Sequence, residues 1–325
     1  MALMKYREAL NAALREEMER DPLVFLMGEG IGEKGGSYKV TDKLMAQFGE
    51  KRVIDTPISE ASFVGMAGGA AIAGTRPVVE LLFVDFAYLV MDQVANQVAK
   101  FNFMIGGQGI VPFVLRTQGG IGNGLAGQHS QSLEAIFYHV PGLQVIMPAT
   151  PYDAKGLLKA SIRSDEPVIF IEHKQLYLTE GDIPEKEYLV PIGKADIKRS
   201  GKDVTLVTYS YMTLESLKAA ELLAQEGIDV EVVDLRTLVP MDMDCVLQSV
   251  RKTGRLAVVH EAVRRGGVGG DIVSNVVEEA FYDLEAPVKR IAGRNTTIPF
   301  NVNLEKLCVP SVEEIVVGVR EVYAS

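Results

Sequence analysis

The strongest constraint on this chain is an alternation. Short apolar runs rich in Val, Ile and Leu are separated by segments with helical spacing. In residues 1–180 the runs are "LVFLMGEG" (Leu23–Gly30), "RVIDTPI", "RPVVELLF", "IVPFVLRTQ", "LQVIMPA" and "PVIFIEH" (Pro167–His173). In residues 201–325 they are "DVTLVTYS", "IDVEVVDLR" and "RLAVVHE". Strands that alternate with helices need crossover connections, and these give a parallel sheet covered by helices on both faces. The expected fold is therefore α/β, with two doubly wound domains at 1–180 and 201–325. Between them, "LTEGDIPEKEYLVPIGKADIKRSG" is polar, holds Pro184 and Pro191 and shows no sustained period. Residues 181–200 read as a linker.

Other classes can be set aside. With 325 residues the chain has room for about two domains and needs no staples. Its two cysteines, Cys245 and Cys308, cannot make a disulfide framework, which fits a reducing cytoplasm, or a mitochondrial or plastid matrix derived from one. A net charge of −10 argues against nucleic acid as a partner. No apolar run reaches the roughly 18 residues of a membrane span. The opening stretch has no signal-peptide core; Leu3, Tyr6, Leu10, Leu14 and Met18 recur at helical spacing.

Several motifs are weak. Gly30-Ile31-Gly32-Glu33-Lys34-Gly35 matches G-x-G-x-x-G with Asp55 twenty residues on, so a nicotinamide-dependent dehydrogenase is conceivable. The loop continues through Gly36-Ser37, which spoils the tight strand–turn–helix context. There is no phosphate-binding P-loop, no G-x-S-x-G, and no metal-ligand spacing among His129, His139, His173 and His260. His139 reads as structural; His260 closes a core strand.

Two positions stand out. Glu60 follows Ser59, a good helix N-cap, where a carboxylate gains about 0.3–1 kcal/mol from the helix dipole. The helix beyond it is unusual: Ala61, Gly65, Gly69 and Ala73 form an i,i+4 ridge of small residues beside Gly68. Each glycine costs about 1 kcal/mol in a helix interior, so close approach of another backbone is the expected reason, most naturally at a subunit contact. Glu60 then sits at the end of a strand, where open α/β sheets place ligands. The second position is His129, delivered by the glycine loop Gly119–Gly127 just before a helix that Ser130 or Ser132 would cap. A helix N-terminus keeps an imidazole neutral and ready for proton transfer.

These residues carry a resemblance. "GEGIGEKGG", "RVIDTPISEASFVGMAGGAA", "DQVANQVAK", "QHSQSLEA", "PYDAKGLL", "DLRTLVPMD" and "VVHEAVRRGGVGGDI" occur in order across nearly the whole chain. Together they resemble the β subunit of thiamin-diphosphate-dependent 2-oxo acid dehydrogenases, first component, in the transketolase-like superfamily. The acetoin-cleaving enzymes share the pattern. The resemblance implies that Glu60 hydrogen-bonds N1′ of the cofactor's aminopyrimidine, that Phe86 stacks on that ring and Ile58 packs against it, and that His129 stands near the reacting carbon. No "GDG" diphosphate motif occurs. By the resemblance, Mg²⁺ and the diphosphate are held by an α subunit, in an α₂β₂ assembly that passes acyl groups to a lipoyl-bearing acyltransferase core. The substrate implied is a small 2-oxo acid or acetoin. The family often binds a structural K⁺ through carbonyls near Phe113 and Ser161–Pro167; here Ser164 and Glu166 depart from that pattern. The alternative reading is a non-catalytic subunit that only docks partners.

Overall fold

The computed structural model describes all of residues 1–325. The chain forms two compact units, Met1–Gly119 with Ile136–Ile192, and Gly120–Ala135 with Gly193–Ser325. In the first half the elements are β1 (Ala2–Lys5), α1 (Tyr6–Arg20), β2 (Val24–Gly28), α2 (Leu44–Phe48), β3 (Val53–Asp55), α3 (Glu60–Ile72), β4 (Arg76–Leu81), α4 (Ala87–Met91), α5 (Phe101–Met104), β5 (Val114–Gly119), α6 (Glu134–Tyr138), β6 (Gln144–Ile146), α7 (Pro151–Arg163), β7 (Val168–His173) and β8 (Glu180–Ile183). In the second they are β9 (Asp196–Arg199), β10 (Val204–Thr208), α8 (Tyr211–Gln225), β11 (Val230–Asp234), β12 (Thr237–Val239), α9 (Met243–Thr253), β13 (Leu256–Val263), α10 (Gly269–Ala280), β14 (Lys289–Gly293), α11 (Val302–Lys306) and α12 (Val312–Tyr323).

In the first unit six strands run in the order β6-β7-β5-β4-β2-β3, every pair parallel. β4, β5 and β7 are buried on both faces apart from Arg76, which is why they read as unbroken apolar runs rather than as an alternation. β3 lies on one side of β2 and β4 on the other. The winding therefore reverses between β2 and β4, and the crevice outside their carboxyl ends is where such sheets bind ligands. Across the ends of β4, β5 and β7 runs a buried charge network. The Arg116 guanidinium, 3% exposed, donates to Glu80 at 2.8 Å and to both Glu172 oxygens at 2.7 and 2.9 Å, and the Tyr177 hydroxyl donates to Glu172 at 2.7 Å.

The second unit has a five-stranded sheet in the order β14-β13-β10-β11-β9, parallel except for β9. α8 and α12 pack on it around Leu206, Val232, Val259 and Ile315.

The structure corrects two expectations. Part of 181–200 is strand rather than linker. β8 continues through Ile183 and pairs antiparallel with β1, while β9 pairs with β11. An edge strand next to a partner's ladder forms without a strong sequence period of its own. Leu3 belongs to β1, not to the opening helix, and is 67% exposed. Farther on, α4 passes into a π-helical segment, Asp92–Val98, before α5.

Candidate active site

The carboxyl ends of β2, β3 and β4 gather the acidic and aromatic residues of the first unit. Glu29 follows β2 directly, Glu60 opens α3 after β3, and Phe86 ends a 3₁₀ turn after β4. Phe86 is half-buried and meets Phe83 edge-on at 6.1 Å. It also takes the N-cap position of α4, which packs on α3. Ile58 is 83% exposed, an isoleucine presented to whatever occupies the crevice.

Glu60 lies in the first turn of α3, as its spacing implied. Ser59 holds the N-cap position with φ −165° but makes no capping bond; its hydroxyl turns back to the Pro57 carbonyl at 3.5 Å. Helix geometry instead starts from the Ser59 carbonyl, which accepts Ser62 N–H and Phe63 N–H. The Glu60 carboxylate makes no hydrogen bond or ion pair within the chain. Its electrostatic neighbour is Glu29. Burial, and then the charge of Glu60, push the Glu29 carboxyl above its ordinary value. Glu29 Oε1 is buried with no hydrogen-bond partner, as are Thr56 Oγ1 and Gln93 Oε1. The negative charge of Glu60 thus disfavours ionisation of Glu29. The unpartnered Glu29, Thr56 and Gln93 oxygens are polar groups that a ligand could meet.

Glu29 is the residue that sequence reasoning missed. Its signal was present, because "MGEG" places an acid at a strand end, but the pairing with Glu60 exists only in space. The dinucleotide reading loses its acid: Asp55 Oδ1 accepts Gly32 N–H at 2.9 Å, and a Cβ on Gly32 would lie 2.6 Å from Asp55 Oδ2. Asp55 is thus committed to closing its own loop.

His129 belongs to the second unit. It ends a 3₁₀ turn, Ala126–Gln128, and its N–H donates to the Ala126 carbonyl. α6 begins only at Glu134 and runs five residues, so His129 is not at a helix N-terminus, and the argument for a neutral imidazole from a helix dipole does not apply. His139 is exposed beyond the end of α6. His260 is fully buried in β13, its ring parallel to Tyr209, and burial holds it mainly neutral with a pKa of about 4.

The small-residue ridge divides into an inner and an outer part. A Cβ on Gly68 would meet Val98 Cγ2 at 2.8 Å, and one on Gly65 would meet Gln93 Cγ at 3.3 Å, so close approach within the chain is to the π-helical segment. A Cβ on Gly69 would meet nothing within 4 Å, and Ala61, Gly69 and Ala73 are exposed beside Met66, 62% exposed. In the region of the expected K⁺, the carbonyls of Ile162 and Ser164 accept from the Arg76 guanidinium at 3.2 and 2.9 Å.

Comparison with known proteins covers nearly the whole chain. The family model described as the transketolase pyrimidine binding domain matches residues 2–179, and the transketolase C-terminal domain model matches 193–315. The chain is 48% identical to the acetoin:2,6-dichlorophenolindophenol oxidoreductase subunit beta of Cupriavidus necator, over 96% of this chain and 95% of that one. It is 47% identical to the pyruvate dehydrogenase E1 component subunit beta of Rickettsia felis, over 97% of each chain. It is 42% identical to the 2-oxoisovalerate dehydrogenase subunit beta of Bacillus subtilis, over 99% of each. In fold it matches a solved split-gene transketolase, described as an inactive β4 tetramer, with a TM-score of 0.81 at 22% identity, over 99% of this chain and 98% of that one. No helix is long and apolar enough to cross a membrane. The chain belongs to the β subunits of the thiamin-diphosphate-dependent 2-oxo acid dehydrogenase first component, within the transketolase-like superfamily.

Proposed function

We propose that the chain is the pyrimidine-holding half of a heteromeric pyruvate-type 2-oxo acid or acetoin dehydrogenase that works in the cytoplasm. It is active only with an α subunit, in an α₂β₂ assembly, and delivers acyl groups to a lipoyl-bearing acyltransferase. The observation that carries this reading is the Glu29–Glu60 pair at the point where the first sheet reverses its winding. When bound, thiamin diphosphate supplies the electron sink for breaking the bond next to a carbonyl.

The chain's own residues have distinct tasks. Glu60 holds a proton at N1′ of the aminopyrimidine. Glu29, its carboxyl raised by burial and by Glu60, keeps that proton within the crevice. Ile58 and Phe86 bound the ring and exclude water. His129 serves the transfer to the lipoyl group, giving a proton to the dithiolane sulfur. Mg²⁺ and the diphosphate would be held by the α subunit, since this sequence has no GDG motif. A K⁺ ion is not needed at Ile162 and Ser164, because Arg76 already supplies a cation there.

The test is calorimetry with thiamin diphosphate and Mg²⁺. Tight binding is expected only after the α subunit is added, and then turnover of pyruvate, a branched 2-oxo acid or acetoin by the pair. Tight, Mg²⁺-dependent binding by the isolated chain would overturn the divided site.

The outer ridge of α3 belongs to the same reading. Gly69→Leu should leave the isolated chain as stable as before, since its side chain enters open space and a glycine is removed from a helix interior. Against a docked backbone, overpacking costs about 1–3 kcal/mol, so assembly should weaken by roughly tenfold or more. Size-exclusion chromatography with the α subunit checks this, and normal assembly would place the ridge on an open surface.

A further inference from the structure

The glycine loop that carries His129 is tied down by acidic groups far away in sequence. Asn301 caps α11, its Oδ1 accepting Asn303 N–H at 2.9 Å and Leu304 N–H at 3.2 Å. The resulting turn directs Glu305 inward, where it is 1% exposed. Its carboxylate accepts Gly122 N–H at 2.9 Å on Oε1 and Gly124 N–H at 3.2 Å on Oε2. Glu261, on β13, accepts Ile121 N–H at 2.7 Å and the Ser132 hydroxyl at 3.3 Å. Gly120 N–H donates to the Gln131 carbonyl at 2.9 Å, closing the loop on itself, and beyond His129 the Tyr209 hydroxyl donates to Glu134 at 2.8 Å. All of these residues belong to the second unit.

Close packing also bears on this loop. Gly124, at φ +62°, approaches so closely that a Cβ there would stand 2.7 Å from the Phe300 carbonyl oxygen, and one on Gly127 would stand 2.4 Å from Thr297 Cγ2. A cavity of about 180 Å³ adjoins this contact, lined by Gly127, Ser130, Gln131, Glu261, Thr296 and Thr297. Ile121 and Ser130 of the loop are themselves buried, and the bonds to Glu305 and Glu261 add to these contacts. Buried, charge-assisted hydrogen bonds to backbone N–H groups are strong and directional. They anchor both ends of the stretch that carries His129.

We propose that Glu305 and Glu261 are positioning residues: they clamp the loop Gly120–Ser132 and thereby set where His129 stands. The proposal rests on the reading of His129 as a participant in transfer to the lipoyl group. Misplacement of a reacting group by about 1 Å can cost on the order of a hundredfold. Glu305→Ala in the reconstituted enzyme should therefore lower the lipoyl-coupled rate by about tenfold to a hundredfold. Activity with an artificial electron acceptor, which needs no sulfur protonation, should fall far less. Glu305→Gln keeps one acceptor oxygen and should recover part of the loss.

Hydrogen exchange and a double variant separate this from a general structural role. Exchange of the Gly122 and Gly124 amides should speed up at least about tenfold in Glu305→Ala, with the strands of the second unit unchanged. Glu305→Ala combined with His129→Ala should be no slower than His129→Ala alone, since two residues acting as one unit are not additive. Unchanged exchange in the loop would overturn the clamp. Faster exchange with fully additive rate losses would overturn the positioning of His129. Faster exchange with no loss in His129→Ala would sustain the clamp while removing His129 from the reaction.

Discussion

Glu60→Gln should leave the chain folded and assembled while slowing the reconstituted enzyme by about 10²–10⁴-fold, the usual contribution of a positioned acid–base group. The fold should survive because the Glu60 side chain makes no hydrogen bond or ion pair within the chain. What it gives to α3 is its charge in the first turn, about 0.3–1 kcal/mol. An amide has nearly the same shape but cannot share a proton with a ring nitrogen as a carboxyl does. Two measurements locate the loss. Proton exchange at the thiazolium carbon of the bound cofactor should stop, and steady-state turnover should fall with it. Glu29 offers a third. Burial and the charge of Glu60 both raise it, so removing that charge should lower the Glu29 value and move any Glu29-dependent limb of the pH–rate profile to more acid pH. Turnover within a few fold of wild type would leave Glu60 as a helix-terminal acid and no more.

How much of this could be read before the structure varied with the range of the interaction concerned. The α/β architecture was legible because strand and helix periods are local, and parallel strands such as Val114–Gly119 are buried throughout. Glu60 at the first turn of α3 was legible for the same reason, since the break at Pro57 and the run of small residues lie on either side of it. Glu29 was not, because what marks it is burial beside an acid brought close by an adjacent strand. The surroundings of His129 were misjudged: the apolar residues after Ser132 suggested a longer helix, but α6 stops after five residues. Glu305 lies 183 residues from the amide it binds, and no local pattern could join them. The linker was misread in part because β8 and β9 draw their hydrogen bonds from β1 and β11, elements distant in sequence.

Arg116→Met should produce the largest loss of stability. Arg116 is the only cation in a buried set with Glu80 and Glu172, and Glu172 is 1% exposed. Such a set gains little over apolar residues of the same volume, yet breaking it by removing one partner costs about 3–5 kcal/mol, because charges stay buried without compensation. At roughly 2–4 °C per kcal/mol for a unit of this size, Tm should fall by about 10 °C. The pH dependence has a definite sign. Burial raises the Glu172 carboxyl above its ordinary value, and Arg116 is the main opposing influence. With Arg116 gone the carboxyl rises further. A group raised on folding contributes stability below its unfolded value and loses it as pH climbs through the folded value. The deficit of Arg116→Met should therefore be greater near pH 8 than near pH 5, because falling pH favours the protonated, uncharged Glu172. Adding Glu172→Gln should restore part of the lost Tm near pH 8, because the unpaired charge goes with it. Thermal melts of the three proteins at both pH values decide the matter. A deficit that is constant with pH and unrelieved by Glu172→Gln would mean that Arg116 acts by its volume rather than its charge.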